Sequence, residues 1–214
     1  MLSKIMKRFS LHRTKTPFGF TLTETVVVVA LFTIIMLAIM ESIASFYRLN
    51  AYTIAQAYQV DNARRGTEQL VRDLREMTYA DNGTFPLTLM EGYRVGFYSD
   101  IDRDNSVEYI EYTLASSTAS TTLYKKVYNA TGTPLTYSTT SPESTTTLSE
   151  YVQNELQNIP IFVYYDMNGN PATATTTVTD IRYVEVSVIV NIDPIRDPGQ
   201  YMLRSSAALR NLKN

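Results

Sequence analysis

Between Thr25 and Met40 the chain reads TVVVVALFTIIMLAIM, sixteen residues without a charged side chain. Carried back to Phe20, the run is twenty-one residues long, with Glu24 as its only ionisable group. At ~1.5 Å per residue, a helix over that run spans roughly 31 Å, about one bilayer core. Four consecutive valines followed by LFTIIMLAIM show no polar face at a period of 3.6, so a core helix of a soluble domain explains the run less well. Residues 20–41 are therefore read as membrane-spanning.

Charge and composition narrow what the rest can do. Residues 1–19 contain Lys4, Lys7, Arg8, Arg13 and Lys15 and no acid, whereas the remainder holds more acidic than basic residues. A basic head before an apolar span predicts a cytoplasmic N-terminus and an extracytoplasmic body. The acidic body argues against binding nucleic acid through phosphates. Cysteine is absent, and the only histidine, His12, lies in the head. Disulfides and thiolate sites are thereby excluded, and imidazole chemistry is unavailable to the body. Only carboxylate, lysine or tyrosine chemistry remains, and the sequence shows no arrangement of it, so the expectation is that the protein is not an enzyme.

Beyond Met40, Ile43, Phe46, Tyr47, Ile54, Ala57, Tyr58, Leu70, Leu74 and Met77 recur at three- and four-residue steps, which predicts an amphipathic continuation over residues 42–80. Asp61 with Arg65 and Glu68 with Arg72 are i,i+4 pairs of opposite charge on its exposed side. One helix from Phe20 to Met77 is expected, with Gly66 as a weak point.

After Asp81-Asn82-Gly83 the pattern changes to period two. Tyr93–Ser99, Val107–Leu114, Leu123–Tyr128, Ile161–Tyr165 and Ile181–Ile192 read as strands, and Leu148–Leu156 as a short helix. The Thr/Ser-rich stretch TYSTTSPESTTT reads as an exposed loop, while SSTASTT and ATATTTVT read as strand–loop margins. The fold class expected is α+β: a long N-terminal helix whose second half packs on an antiparallel, tyrosine-rich sheet, with residues 81–214 as the β-rich body.

Directly before the apolar run, residues 19–24 spell GFTLTE. Basic leader, Gly-Phe junction, glutamate and long apolar helix, in that order, resemble the type IV prepilin signal, with Thr23 where that family more often has an apolar residue. The resemblance implies that a prepilin peptidase cuts between Gly19 and Phe20, removes residues 1–19 as a leader and methylates the new amino terminus of Phe20. It further implies that Glu24 meets the N-terminal amine of a neighbouring subunit during assembly. In the body, FYSDIDRDNSVEYIEY, LYKK, IFVYYDMNGN, DIRYVEVSVIV and SSAALRNLK resemble, in order, the J-type minor pseudopilins of type II secretion and related type IV minor pilins. The fold implied is pilin-like. A disulfide common in major pilins has no counterpart here, and position 41 is Glu where a helix-kinking proline is frequent.

Three further features invite chemistry. Asp100, Asp102, Asp104, Asn105, Glu108 and Glu111 occupy positions one, three, five, six, nine and twelve of a loop spaced like an EF-hand, so Asp100, Asp102 and Asp104 are candidate calcium ligands. Asn105 stands where a glycine is usual and a strand follows, so a polar hairpin turn explains the same residues. The second acidic turn, Asp166 to Asn170, reads as a hairpin around Asn168-Gly169. Sixteen tyrosines could offer a stacking surface for sugars, or simply fill and edge a sheet. Asn82 and Asn129 begin glycosylation acceptor patterns that also occur by chance.

The function expected is structural: a minor pilin or pseudopilin, anchored in the inner membrane, processed, and assembled into a filament tip or initiation complex. Its partners would be other pilins, the prepilin peptidase, the inner-membrane assembly platform and membrane lipid. A pilus-tip binding module, either an adhesin or a DNA-uptake subunit, is the alternative.

Overall fold

The structure is a computed structural model that describes residues 19–104, 106–116, 121–173, 176–193 and 200–209. The basic head, with His12, and Asn105 lie outside the described residues. Two compact units are present, divided between Asn50 and Ala51. This division falls inside the first helix, α1, Leu22–Arg75.

In the first unit, α1 starts on a cap. The Thr21 hydroxyl accepts the Glu24 N–H at 3.2 Å, and the Thr21 carbonyl accepts the Thr25 N–H at 3.1 Å. The Thr33 hydroxyl donates back to the Val29 carbonyl at 2.8 Å, so the polar atom in mid-run is satisfied within the helix. The large apolar side chains are left exposed, from Val26 at 59% to Met40 at 69%. Helical hydrogen bonding is complete here without tertiary partners, but burial of the side chains is not.

The second unit is built on two antiparallel sheets. The larger has the order β1-β2-β3-β4-β7, with β1 Leu87–Met90, β2 Arg94–Ser99, β3 Glu108–Ser116, β4 Thr121–Tyr128 and β7 Ser144–Ser149. The smaller has the order β10-β9-β8, with β8 Phe162–Asp166, β9 Ile181–Val190 and β10 Tyr201–Ala208. A short hairpin of β5 Ala130–Thr131 and β6 Thr136–Tyr137 completes it. Ala63, Leu70, Val71 and Leu74 of α1, Val95, Phe97, Ile110, Tyr112 and Leu123 of the larger sheet, and Val184, Val186 and Val188 of β9 share one buried core. The α+β reading and the packing of the second half of the helix on antiparallel sheet hold.

The helix face is not the one expected from periodicity. Leu70 and Leu74 are buried, as is Met77, which lies beyond the end of the helix at Arg75 rather than within it as expected, yet Ile54 and Tyr58 are 62% and 64% exposed. The buried residue of that turn is Gln56, whose side chain accepts the Ile192 N–H at 3.0 Å and donates to the Val190 carbonyl at 3.4 Å, ending β9. Gly66 is not a weak point either. A Cβ there would lie 3.0 Å from both Cβ and the carbonyl oxygen of Leu148, so the absence of a side chain lets helix and strand approach.

Leu148–Leu156 does not form the expected helix. Its first residues belong to β7, and Leu156 is exposed. Val152 is fully buried, and the Asn154 carboxamide imitates a strand beside β9. It donates to the Ser187 carbonyl and accepts the Ile189 N–H, both at 2.8 Å. β9 outruns β8 at this end, and Asn154 satisfies the backbone groups left over. Two further departures concern strands: β7 begins within the stretch read as an exposed loop, and β1 and β10 occupy segments not read as strands.

Candidate functional site

At the head of α1, Gly19, Phe20 and Thr21 precede the helix in exposed, non-helical backbone. Phe20 is 77% exposed. Glu24 lies in the first turn, where a carboxylate is favoured by the unpaired N–H groups and the helix dipole. Among the described residues, α1 is the one helix long and apolar enough to cross a membrane, and none of its most apolar window is buried by the protein itself. The junction therefore consists of an exposed dipeptide outside the helix, a hydroxyl cap, a carboxylate one turn in and an exposed apolar helix face.

In the acidic loop the structure brings together Asp100, Asp102 and Glu108, whose carboxylate oxygens lie within 4.8 Å of one another. Asp104 is not in that group, and its Oδ1 accepts the Ser106 N–H at 2.7 Å. Glu108 begins β3 and is buried, which pushes its pKa up; the Ile101 N–H on its Oε2 at 3.0 Å opposes that shift, and the nearby aspartates add to it. Asp100 Oδ1 accepts the Arg103 N–H at 2.7 Å, with Arg103 at φ 62°, and Asp102 Oδ1 accepts the Asp104 N–H at 3.3 Å. Each of the three carboxylates thus has one oxygen committed to a loop amide. Three carboxylates supply only part of the six to eight oxygens calcium takes. The contacts present are those of a polar hairpin turn.

The Asp166 turn is likewise a hairpin. Asp166 Oδ1 accepts the N–H groups of Asn168 and Asn170, both at 2.8 Å, and Gly169 takes φ 80°. Those amides, Asn170 first, hold the Asp166 carboxyl below the usual carboxylate range. Asn82 and Asn129 are both exposed, and the Asn82 side-chain Oδ1 accepts the Thr84 hydroxyl at 2.6 Å.

The buried tyrosines divide between two clusters, while Tyr47, Tyr58, Tyr183 and Tyr201 are exposed. Tyr112 stacks on Phe97 in the main core, with ring centroids 6.0 Å apart. Tyr98, Tyr109 and Tyr128, with Val107 and Ala80, form a second cluster against which Tyr137 packs.

The core also holds a charged pair that the sequence signals only through strand alternation. Lys125 and Asp73 are both buried and paired. They border a cavity of about 330 Å³ with Gln69, Arg72, Glu76, Ile101 and Arg103. The signal was the LYKK strand, whose alternation turns Lys125 inward between Leu123 and Val127. The sequence matches no family model, and no curated protein is significantly similar to it.

Proposed function

We propose that this chain is a membrane-anchored structural subunit of the type IV pilin class, a minor pilin or pseudopilin. It would be cut between Gly19 and Phe20 and assembled with other pilins into the tip or initiating complex of a filament. The observation that carries the reading is the apolar surface of α1 from Leu22 to Met40, whose large side chains are exposed among the described residues. A surface of that size is stable only in lipid or among other apolar helices, and a subunit that passes from membrane to filament needs both.

Three features support it. Gly19 and Phe20 stand ahead of the helix and are exposed, so a peptidase meets accessible backbone outside the helical hydrogen bonding. Glu24 follows Phe20 by four residues, so the amine of a neighbouring, processed Phe20 would compensate its charge in one axial register. The apolar side chains also continue past the span: Ile43, Phe46 and Tyr47 are more than half exposed, as are Ile54 and Tyr58 in the second unit. Such residues suit lateral contact with like helices.

The test is incorporation. Glu24→Leu should be inserted and processed at normal levels yet lose crosslinks to partner pilins, and Glu24→Asp should be partly competent. Normal incorporation of Glu24→Leu would remove the proposed role of the carboxylate.

A further inference from the structure

The outer side of β10, an edge strand of the smaller sheet, is open. Register shows which of its backbone groups face outward. The Leu209 N–H donates to the Arg182 carbonyl at 2.9 Å, and pairing continues in step from Ala208↔Tyr183 to Tyr201↔Val190. Tyr201, Leu203, Ser205 and Ala207 therefore exchange their backbone bonds with β9, while Met202, Arg204 and Ser206 turn theirs away. The Ser206 carbonyl bears this out, because it accepts Arg75 Nη2 of α1 at 3.0 Å. The N–H and C=O of Met202 and Arg204, and the Ser206 N–H, have no hydrogen-bond partner among the described residues.

The opposite edge of the same sheet is closed. Beyond β8, the Ile161 and Phe162 N–H groups donate to the Gly92 carbonyl at 2.8 and 3.0 Å, and the Tyr164 carbonyl accepts the Ala172 N–H at 2.7 Å. β10 lacks the devices that keep an edge unpaired. It has no proline, no lysine and no bulge, and its one charged residue, Arg204, is tied to Glu185 at 3.0 Å. Tyr201 and Met202 are 54% and 46% exposed.

The surroundings of that edge limit what can pair with it. Tyr201, Leu203 and Ser205 share a sheet face with Val190, Val188 and Val186, toward the core. Between them and α1 runs an open groove. Ala57 and Val60 border it with Tyr201 at one end, Thr67 with Leu203 and Ser205 at the other, and Arg64 at both. The charges along the helix side are already matched, Arg64 by Glu68 and Asp61 by Arg65. An occupant therefore needs backbone donors and acceptors at strand spacing, an uncharged contact stretch, and an apolar side chain at every second position for the groove. A second copy of β10 does not meet this, because antiparallel pairing over Met202–Ser206 would set two Arg204 side chains directly opposite one another.

We propose that β10 accepts an extended segment of a partner protein as an added antiparallel strand over Met202–Ser206, with apolar residues in the groove alternating with polar residues outside it. The Arg75 contact to the Ser206 carbonyl marks where the added strand stops. Nothing in this depends on filament assembly.

The experiment is hydrogen exchange, read at single amides, on the full chain in detergent micelles. The probes are three peptides, acetyl-Ser-Thr-X-Thr-X-Thr-Ser-amide with X as Val, Leu or Phe, each at ~5 mM, enough to fill a millimolar site. Each has a control N-methylated at its three threonines, which keeps the side chains but loses the donors that would face β10. At least one probe should slow exchange at the Met202 and Arg204 amides about fivefold, and its control should not. Met202→Pro removes one outward N–H and leaves the bonds to β9 in place, so it should weaken binding about tenfold with the chain still folded. Arg204→Pro repeats the test from the next outward position, and Thr145→Lys on β7 should bind as the unaltered chain does. Three results would each overturn the proposal. They are no protection by any probe, equal protection by an N-methylated control, and slow exchange at these amides without peptide. The last would mean a second copy on the edge if dilution restores exchange, and an edge covered within the chain if it does not.

Discussion

Lys125 of β4 donates to Asp73 Oδ2 of α1 at 2.5 Å, and the Tyr112 hydroxyl of β3 donates to the same oxygen at 2.6 Å, all within the buried core. Burial, and then the Asp73 charge, push the Tyr112 pKa well up, so the phenol stays a donor at every physiological pH. Two strands are thereby tied to one point on the helix. Taking both ions out of water costs nearly what their attraction returns, but removing one strands the other. Asp73→Leu or Lys125→Met alone should lower stability by about 3–5 kcal/mol, and the double substitution should recover most of the loss. Denaturant unfolding of the four proteins measures this. A double variant as unstable as the sum of the singles would show that the pair itself stabilises the fold.

Gly66 separates helix propensity from packing. On an isolated helix, Gly→Ala stabilises by about 1 kcal/mol. Here the new Cβ meets Leu148 at 3.0 Å, including a backbone oxygen that cannot swing aside. Gly66→Ala should therefore destabilise by about 1–3 kcal/mol, the usual cost of overpacking. A rise in melting temperature would mean that β7 yields freely.

Glu108 makes the acidic loop sensitive to pH. Its folded pKa lies above the ordinary value, by burial first, so the native state holds this proton more tightly than the unfolded chain. Stability from this group is full below the unfolded carboxylate pKa and is lost as pH rises through the raised folded one. Glu108→Gln keeps an oxygen for the Ile101 N–H and carries no charge at any pH. It should raise the melting temperature at pH 7 and leave it nearly unchanged at pH 4. The same melts with millimolar calcium distinguish a hairpin turn, for which no shift is expected, from a cation site, in which calcium would stabilise the native chain and Asp102→Asn would abolish the effect.

How far the sequence could be read followed from where each signal arises. Strands such as β3, β4 and β9 announced themselves because their inward residues alternate with polar ones and fill a core on one face. Leu148, Val152 and Leu156 are spaced as on a helix, yet only the first two are buried. What decides that segment is the Asn154 carboxamide bonding to β9, a contact more than thirty residues away in sequence. β10 reads YMLRSSAA, with no β-branched residue, and its conformation is imposed by pairing with β9 at eight successive positions. In the acidic loop, spacing suggested Asp104 as the third carboxylate, whereas the β3 ladder delivers Glu108. Gln56 hides among apolar neighbours because its role is to end β9 rather than to exclude water.

The central claim, that this chain is processed as a prepilin and then assembled, is tested most directly by the N-terminus of the protein in its assembled state. Intact mass and N-terminal peptide analysis of the chain recovered from filaments or from its membrane complex should show Phe20 as the first residue, bearing one methyl group. Substitution of Gly19 by a bulky residue should leave residues 1–19 attached. An intact basic head on the incorporated protein, or a terminus elsewhere in the apolar run, would contradict the account.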